Sequence, residues 1–401
     1  MLGYYSAWLY FIEIALLLAV AATPLFRAAD SPPIPAERRL VNLDGLRGFA
    51  ALSVFFNHAA VYHTLFATGA WTYPGTRFYF LLGGFGVAFF FMITGYLFYS
   101  QLLRSHGKPD WRKLYIGRLF RILPLYWFAV ALVVIGVLIN TGFHLRVPVG
   151  QLISELLRWS AGGLFDNIPI NGYSGTAQII AFVTWTLRFE WFFYASLIYI
   201  SLLVTVRRVG LLFPPLMLVL VILLVYGARV ANPAPLMCAA LFSVGMSAAA
   251  LKAAKPQLRV QGPLWSLAAS GLLVFGLVFV PNVYRPMPVL LFGTVFVLIT
   301  LGCDLFGLLS ARPSGRLGNI SYGIYLLQGP VFAAMSSFSF IRALDMRSPL
   351  GHAAVTMPEA LALIALATCT HVWIERPGIA LGKLLLEKTA PQKGLEAVVV
   401  R

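Results

Sequence analysis

Charge is scarce in this chain: Asp, Glu, Lys and Arg make up 11% of its 401 residues, against 60% apolar side chains. Soluble domains carry about a quarter charged residues and alternate apolar with polar faces, so this scarcity excludes an ordinary soluble enzyme. Cysteine is scarce as well. Cys238, Cys303 and Cys369 all fall inside apolar runs, without CxxC spacing or a neighbouring histidine cluster, which leaves a disulfide framework, a zinc site or a cysteine relay without support. His63, His144, His352 and His371 show no mutual ligand spacing, so no metal is expected. Also missing are a heptad array, a low-complexity tract, an internal repeat obvious by eye and a basic stretch ahead of the first apolar run. Without that basic n-region the first run reads as a retained helix, not a signal peptide.

What is present is long hydrophobic runs of about 18 to 24 residues, the length a helix needs to cross a hydrocarbon core of ~30 Å. Mean hydropathy is +0.83. Spans are expected near Tyr4–Leu25, Leu46–Phe66, Phe78–Tyr99, Phe120–Asn140, Ala181–Thr205, Leu211–Tyr226, Pro235–Leu251, Leu264–Pro281, Pro288–Leu309, Gly318–Phe338 and Ala354–Trp373. The expected fold is therefore all-α, a polytopic transmembrane helical bundle. The net charge of +16 is distributed by topology. Connections 26–45, 100–119, 206–210, 252–263 and 310–317, with the tail after Trp373, carry 20 of the 30 Lys and Arg; the alternate connections carry 7. The positive-inside rule places the first set in the cytoplasm, the N-terminus outside and the C-terminus inside. The basic excess thus serves topology and attraction to anionic lipid headgroups, and no nucleic-acid partner is expected.

Ionisable groups within spans are costly in lipid and mark functional candidates. Arg47 and His58 are eleven residues apart, which returns a helix to within roughly 20° of the same face and about 16 Å along it. Arg47 then marks the mouth of a cavity and His58 its interior; a lone structural histidine is the competing reading. Arg118 and Arg121 share a face at i,i+3. Two guanidinium forks at a membrane mouth suit a phosphorylated ligand, although basic anchoring of the helix explains them too. Glu190 is expected at a depth like that of His58, where a carboxylate can orient an imidazole and stabilise the imidazolium. It can equally pair with Arg188 or hold helices together. Glu13, in the first run, either packs on protein or lies near an interface. The long segment 141–180, with Glu155, Trp159, Asp166, Asn167, Asn171 and Tyr173, has the aromatic and amide groups that bind sugars, or else is a tether.

The order of these blocks resembles the acyltransferase-3 family of integral membrane acyltransferases. The resemblance is carried by Leu43-Asp44-Gly45-Leu46-Arg47-Gly48-Phe49-Ala50-Ala51 with His58, by Phe89 to Leu97, by Arg118-Leu119-Phe120-Arg121-Ile122-Leu123-Pro124-Leu125-Tyr126-Trp127, by Trp185 to Glu190 with Phe193-Tyr194, by Ile320 to Leu326 and by Ile374-Glu375-Arg376-Pro377. It implies ten core helices, with the first run as one extra N-terminal helix. It divides the chain into the extra helix 1–27, a membrane domain 28–377 and a basic cytoplasmic tail 378–401. It further implies transfer of an acyl group, commonly acetyl from acetyl-CoA as co-substrate, to a hydroxyl of exopolysaccharide, O-antigen or a lipid-linked sugar at a bacterial inner membrane. No cofactor is expected to be bound permanently. By position the resemblance implies His58 as the catalytic residue, Arg47 as its motif partner and Arg118 with Arg121 as the CoA-side contacts; from the residues themselves Glu190 is expected as the partner of His58, with Arg188, Tyr126 and Tyr322 also toward the acyl-CoA or acceptor. Gln328 departs from the pattern, since many members have a histidine there, and the departure argues against an essential role for that position. A saccharide or lipid transporter or flippase is the competing function.

Overall fold

The computed structural model describes residues 6–30, 40–228, 230 and 232–388. Sixteen helices follow one another, named here in chain order. They are α1 (Ala7–Ala22), α2 (Val41–Thr68), α3 (Arg77–Arg104), α4 (Trp111–Asn140), α5 (Val149–Ser160), α6 (Thr176–Ile179), α7 (Trp185–Val204) and α8 (Arg207–Gly227). Then come α9 (Ala234–Ala254), α10 (Pro263–Phe279), α11 (Pro286–Thr300), α12 (Arg312–Asn319), α13 (Ser321–Ser336), α14 (Ser339–Arg347), α15 (Pro349–Thr370) and α16 (Arg376–Lys388). Seven of the stretches are long and apolar enough to cross a membrane: α2, α3, α4, α7, α8, α9 and α15 with its continuation. The bent pair α13–α14 passes the same test together, and α1, α10 and α11 are shorter apolar helices. Each expected run contains an apolar helix, and the protein is a polytopic all-α membrane bundle; the start of the first run, Tyr4–Tyr5, lies outside the described residues.

Sidedness is visible in the side chains. Along α8, Leu212, Leu216, Leu220 and Leu223 are exposed, while Val221 and Val225 are buried. The exposed apolar stripe is what a bilayer covers and the buried one is what neighbouring helices cover. Between α3 and α9 small residues set the spacing. A Cβ on Gly95 would strike the Phe242 carbonyl, and one on Gly245 would strike the Met92 carbonyl. Glycine lets those two backbones touch, in the manner of close-packed membrane helices.

Three features differ from the sequence expectation. The Gly318–Phe338 run is not one straight span: α12 ends at Asn319, α13 resumes at Ser321, and α14 leaves α13 at 99°. The Ala181–Thr205 run becomes helical only at Trp185, because Ala181 and Phe182 take left-handed φ of 51° and 57°. Segment 141–180 is a built cap, with α5 amphipathic and its Val149, Ile153 and Leu157 face exposed. Its Trp159 is buried and donates to the Ile168 carbonyl, while Asn171 donates to the His144 carbonyl and its backbone N–H bonds Glu155. These groups hold the cap together and are not displayed toward a sugar.

The extra helix α1 is fastened at the basic end of the bundle. Arg316, 2% exposed, bonds both the Asp30 carboxylate and the α1-terminal carbonyls of Ala21 and Thr23, each at 2.7 Å. Helix C-termini leave carbonyls unpaired, and a buried guanidinium supplies the missing donors. Arg312 also pairs with Asp30, and Arg376 donates to the Asp30 carbonyl. The two arginines hold the Asp30 carboxyl well below the usual carboxylate range. The segment assigned to the tail begins as α16, whose Gly378 and Gly382 lie against Phe120 of α4; residues 389–401 lie outside the described residues.

Candidate active site

Two cavities penetrate the bundle and share a wall. The first encloses about 140 Å³ and is lined by Arg47 from α2, Thr94 and Phe98 from α3, Arg118 and Arg121 from α4, Glu190 and Tyr194 from α7, and Tyr322 and Tyr325 from α13. The second encloses about 270 Å³ and is lined by Asn57 and His58 from α2, Gly83 and Gly84 from α3, Trp185 from α7, and Tyr284. Val87 and Tyr325 belong to both linings. Arg47 and His58 therefore open into successive compartments of one helix face, as their eleven-residue spacing suggests.

The first cavity gathers three guanidinium groups around one carboxylate. Glu190 accepts from the Tyr194 hydroxyl at 2.5 Å and feels Arg118, Arg47 and Arg121 electrostatically. Arg118 stacks on Phe98, its guanidinium carbon 4.6 Å from the ring centroid. A contact of that kind contributes about 0.5 to 2 kcal/mol and holds the guanidinium in place. Tyr322 donates to the Ile122 carbonyl, which bridges α13 to α4 beside Arg121. Glu190 is the one acidic side chain among the three arginines of this lining.

In the second cavity His58 has a different partner from the one expected. Its Nδ1 lies 3.2 Å from Oε1 of Gln328. Gln328 is fully buried and its Nε2 donates to the Tyr325 carbonyl at 2.7 Å. With the amide N–H group turned to a carbonyl, Oε1 faces the imidazole, so the partner of Nδ1 is an acceptor. Nδ1 therefore carries the proton and Nε2 keeps its lone pair. Gln328, the position that departs from the family pattern, touches His58 although it stands in neither cavity lining. Glu190 lines the other compartment and bonds Tyr194; it does not orient His58.

Two further expected residues stand outside both linings. Arg188 pairs with Asp166 of the cap at 2.7 Å, with 31% and 79% side-chain exposure, and so turns away from the bundle interior. Tyr126 is buried and donates to the Trp159 carbonyl, tying the cap to α4. Both hold the cap. Tyr325 was missed as a site residue although it sits in a quoted block: its hydroxyl bonds Thr186 and the Val183 carbonyl, so it stands as a fixed partition between the compartments. His63 and His352, 289 positions apart, meet on Asp345, a contact that sequence spacing cannot show.

The acyltransferase-3 family model, described as an acyltransferase domain, matches residues 40–376. The matched stretch holds every site residue above and leaves α1 outside. Among curated relatives, Nodulation protein 10 of Rhizobium leguminosarum bv. viciae is 27% identical over 165 residues, 39% of this chain and 42% of that protein. The putative peptidoglycan O-acetyltransferase YrhL of Bacillus subtilis (strain 168) is 32% identical over 128 residues, 31% of this chain and 18% of that protein. The exopolysaccharide production protein ExoZ of Rhizobium meliloti (strain 1021) is 25% identical over 321 residues, 77% of this chain and 93% of that protein. The chain thus spans less than half the length of the first two and nearly all of the third. No solved structure matches it.

Proposed function

Because the chain belongs to the acyltransferase-3 family, we propose that it moves an acyl group, acetyl in the expected case, from acyl-CoA to a hydroxyl of a saccharide acceptor. The single observation carrying this reading is the pair of compartments that meet at Val87 and Tyr325, one lined by three arginines and the other by His58. The arginine compartment takes the donor, with the CoA phosphates on Arg118, Arg121 and Arg47, since guanidinium forks match phosphate oxygens in pairs. The thioester end then reaches toward the partition. The acceptor enters the histidine compartment, where exopolysaccharide, peptidoglycan-like or lipid-linked sugars are the candidate classes.

At the partition, Nε2 of His58 removes the proton of the acceptor hydroxyl as its oxygen bonds the thioester carbonyl carbon. The tetrahedral intermediate collapses, the C–S bond breaks, and the imidazolium returns the proton to the departing CoA thiolate. Gln328 fixes the tautomer this step needs. Apolar walls, with Phe90, Phe91, Leu97 and Leu187 in the first compartment and Val54, Phe80 and Val87 in the second, keep water from the thioester. The basic end, where the donor enters, faces the cytoplasm of a bacterial inner membrane in this reading, with the N-terminus outside.

The test is transfer of labelled acetyl from acetyl-CoA to polysaccharide in membranes. His58→Ala is expected to lose at least ~100-fold in rate, the usual worth of a general base, while the protein still folds. Full transfer by a folded His58→Ala protein overturns the assignment.

A further inference from the structure

The end of the bundle opposite the arginine latch holds a second set of ionisable side chains, in neither cavity lining. His63 lies five residues past His58 on α2, which turns it about 140° away from the cavity face. Asp345 is near the end of α14 and His352 is in the first turn of α15. Three separate elements thus bring two imidazoles and a carboxylate to one spot, at 6%, 5% and 5% exposure. Nδ1 of His63 lies 2.6 Å from one Asp345 oxygen and Nδ1 of His352 lies 2.6 Å from the other. The donor atoms of all three lie within 4.8 Å of one another.

We propose that His63, Asp345 and His352 form a buried site for one divalent transition-metal ion of the zinc type. Two imidazoles and one carboxylate are the ligand set such ions favour, and they leave a fourth position for water or another donor. The carboxylate already directs one oxygen at each ring. The ion takes the place of the two Nδ1 protons, and each neutral ring carries its proton on Nε2 instead, so no net proton is lost. Ligand atoms at ~2.1 Å from a tetrahedral zinc sit about 3.4 Å apart, so a ligating N···O pair opens by about 0.8 Å from its 2.6 Å contact.

Two further carboxyl groups lie close by. Glu359, seven residues along α15 from His352, is 7% exposed and interacts with Asp345 and with Glu13 of α1. Glu13 is also buried, and its Oε1 has no hydrogen-bond partner. A bound ion would pin α14, bent 99° from α13, to α2 and α15.

The test uses tag-free, full-length protein in detergent, stripped by chelator and titrated with Zn²⁺. Bound metal is counted by mass spectrometry after desalting, and Co²⁺ serves as a spectroscopic substitute. About one equivalent per chain is expected, with Co²⁺ ligand-field absorption of a low-coordinate site. Asp345→Asn and His352→Gln are each expected to weaken binding at least ~10-fold, and His144→Gln to leave it unchanged. Wild-type protein retaining less than about one-tenth of an equivalent overturns the proposal, as does full-affinity binding by Asp345→Asn. If the variants fail to fold, the wild-type titration alone decides.

Discussion

In the proposed reaction Gln328 sets the chemistry of His58 by what it accepts. Its amide donates to the Tyr325 carbonyl, so Oε1 takes the Nδ1 proton, and Nε2 is left to act as the proposed base. Gln328→Leu removes that acceptor without adding charge. Its expected effect is a ~10- to 100-fold fall in kcat with the KM for acyl-CoA within about two-fold, since the donor compartment is untouched. Gln328→Glu places a carboxylate on the ring and stabilises the imidazolium, so the acidic limb of the pH–rate profile should move to higher pH. A steady-state series on the three proteins checks both. Glu190 gives a prediction of opposite sign to a catalytic role. It is the one carboxylate among three arginines, so Glu190→Gln should leave acetyl-CoA affinity equal or raise it a few-fold; a loss above about five-fold would show that Glu190 contacts the donor directly.

At the scale of elements, the arginine latch decides whether α1 stays docked. Asp30 sits outside the spans, and its carboxyl is depressed in the folded protein by Arg316 and Arg312. A depressed carboxyl contributes stability that is complete above the ordinary carboxylate range and is lost as pH falls below it. Asp30→Asn should therefore lower the melting temperature at neutral pH, and the gap to wild type should narrow as the pH is taken below about 4. Calorimetry in detergent at several pH values measures this. At the crossing of α3 and α9, Gly245→Val should destabilise by forcing the two backbones apart, whereas Gly117→Ala, with open space at its Cβ, should not.

Sequence pattern reached the helices themselves because a ~20-residue apolar run has few alternatives in a membrane protein. It did not reach the break at Ile320 or the turn at Ala181–Phe182. Both lie inside apolar runs, and hydropathy does not register a left-handed φ. The arginines were legible for the same reason: Arg118 and Arg121 stand at i,i+3 on one helix, so local geometry alone places them together. The partnership of His58 with Gln328 spans 270 positions and that of His63 with His352 spans 289, so no local periodicity encodes either. Arg188 and Tyr126 misled for a related reason. Their spans are right, but only tertiary packing reveals that they face the cap.

Across the whole molecule, the account rests on an anion compartment at the basic end leading to a histidine compartment through a shared wall of Val87 and Tyr325. The most direct measurement is equilibrium binding of acetyl-CoA to the purified, folded protein, comparing wild type with the Arg118→Ala/Arg121→Ala double variant and with His58→Ala. The account predicts saturable binding by wild type, at least ~10-fold weaker binding by the double variant, and unchanged binding by His58→Ala. Equal affinity in wild type and the double variant, or no binding of acetyl-CoA or longer acyl-CoAs by wild type, would contradict it.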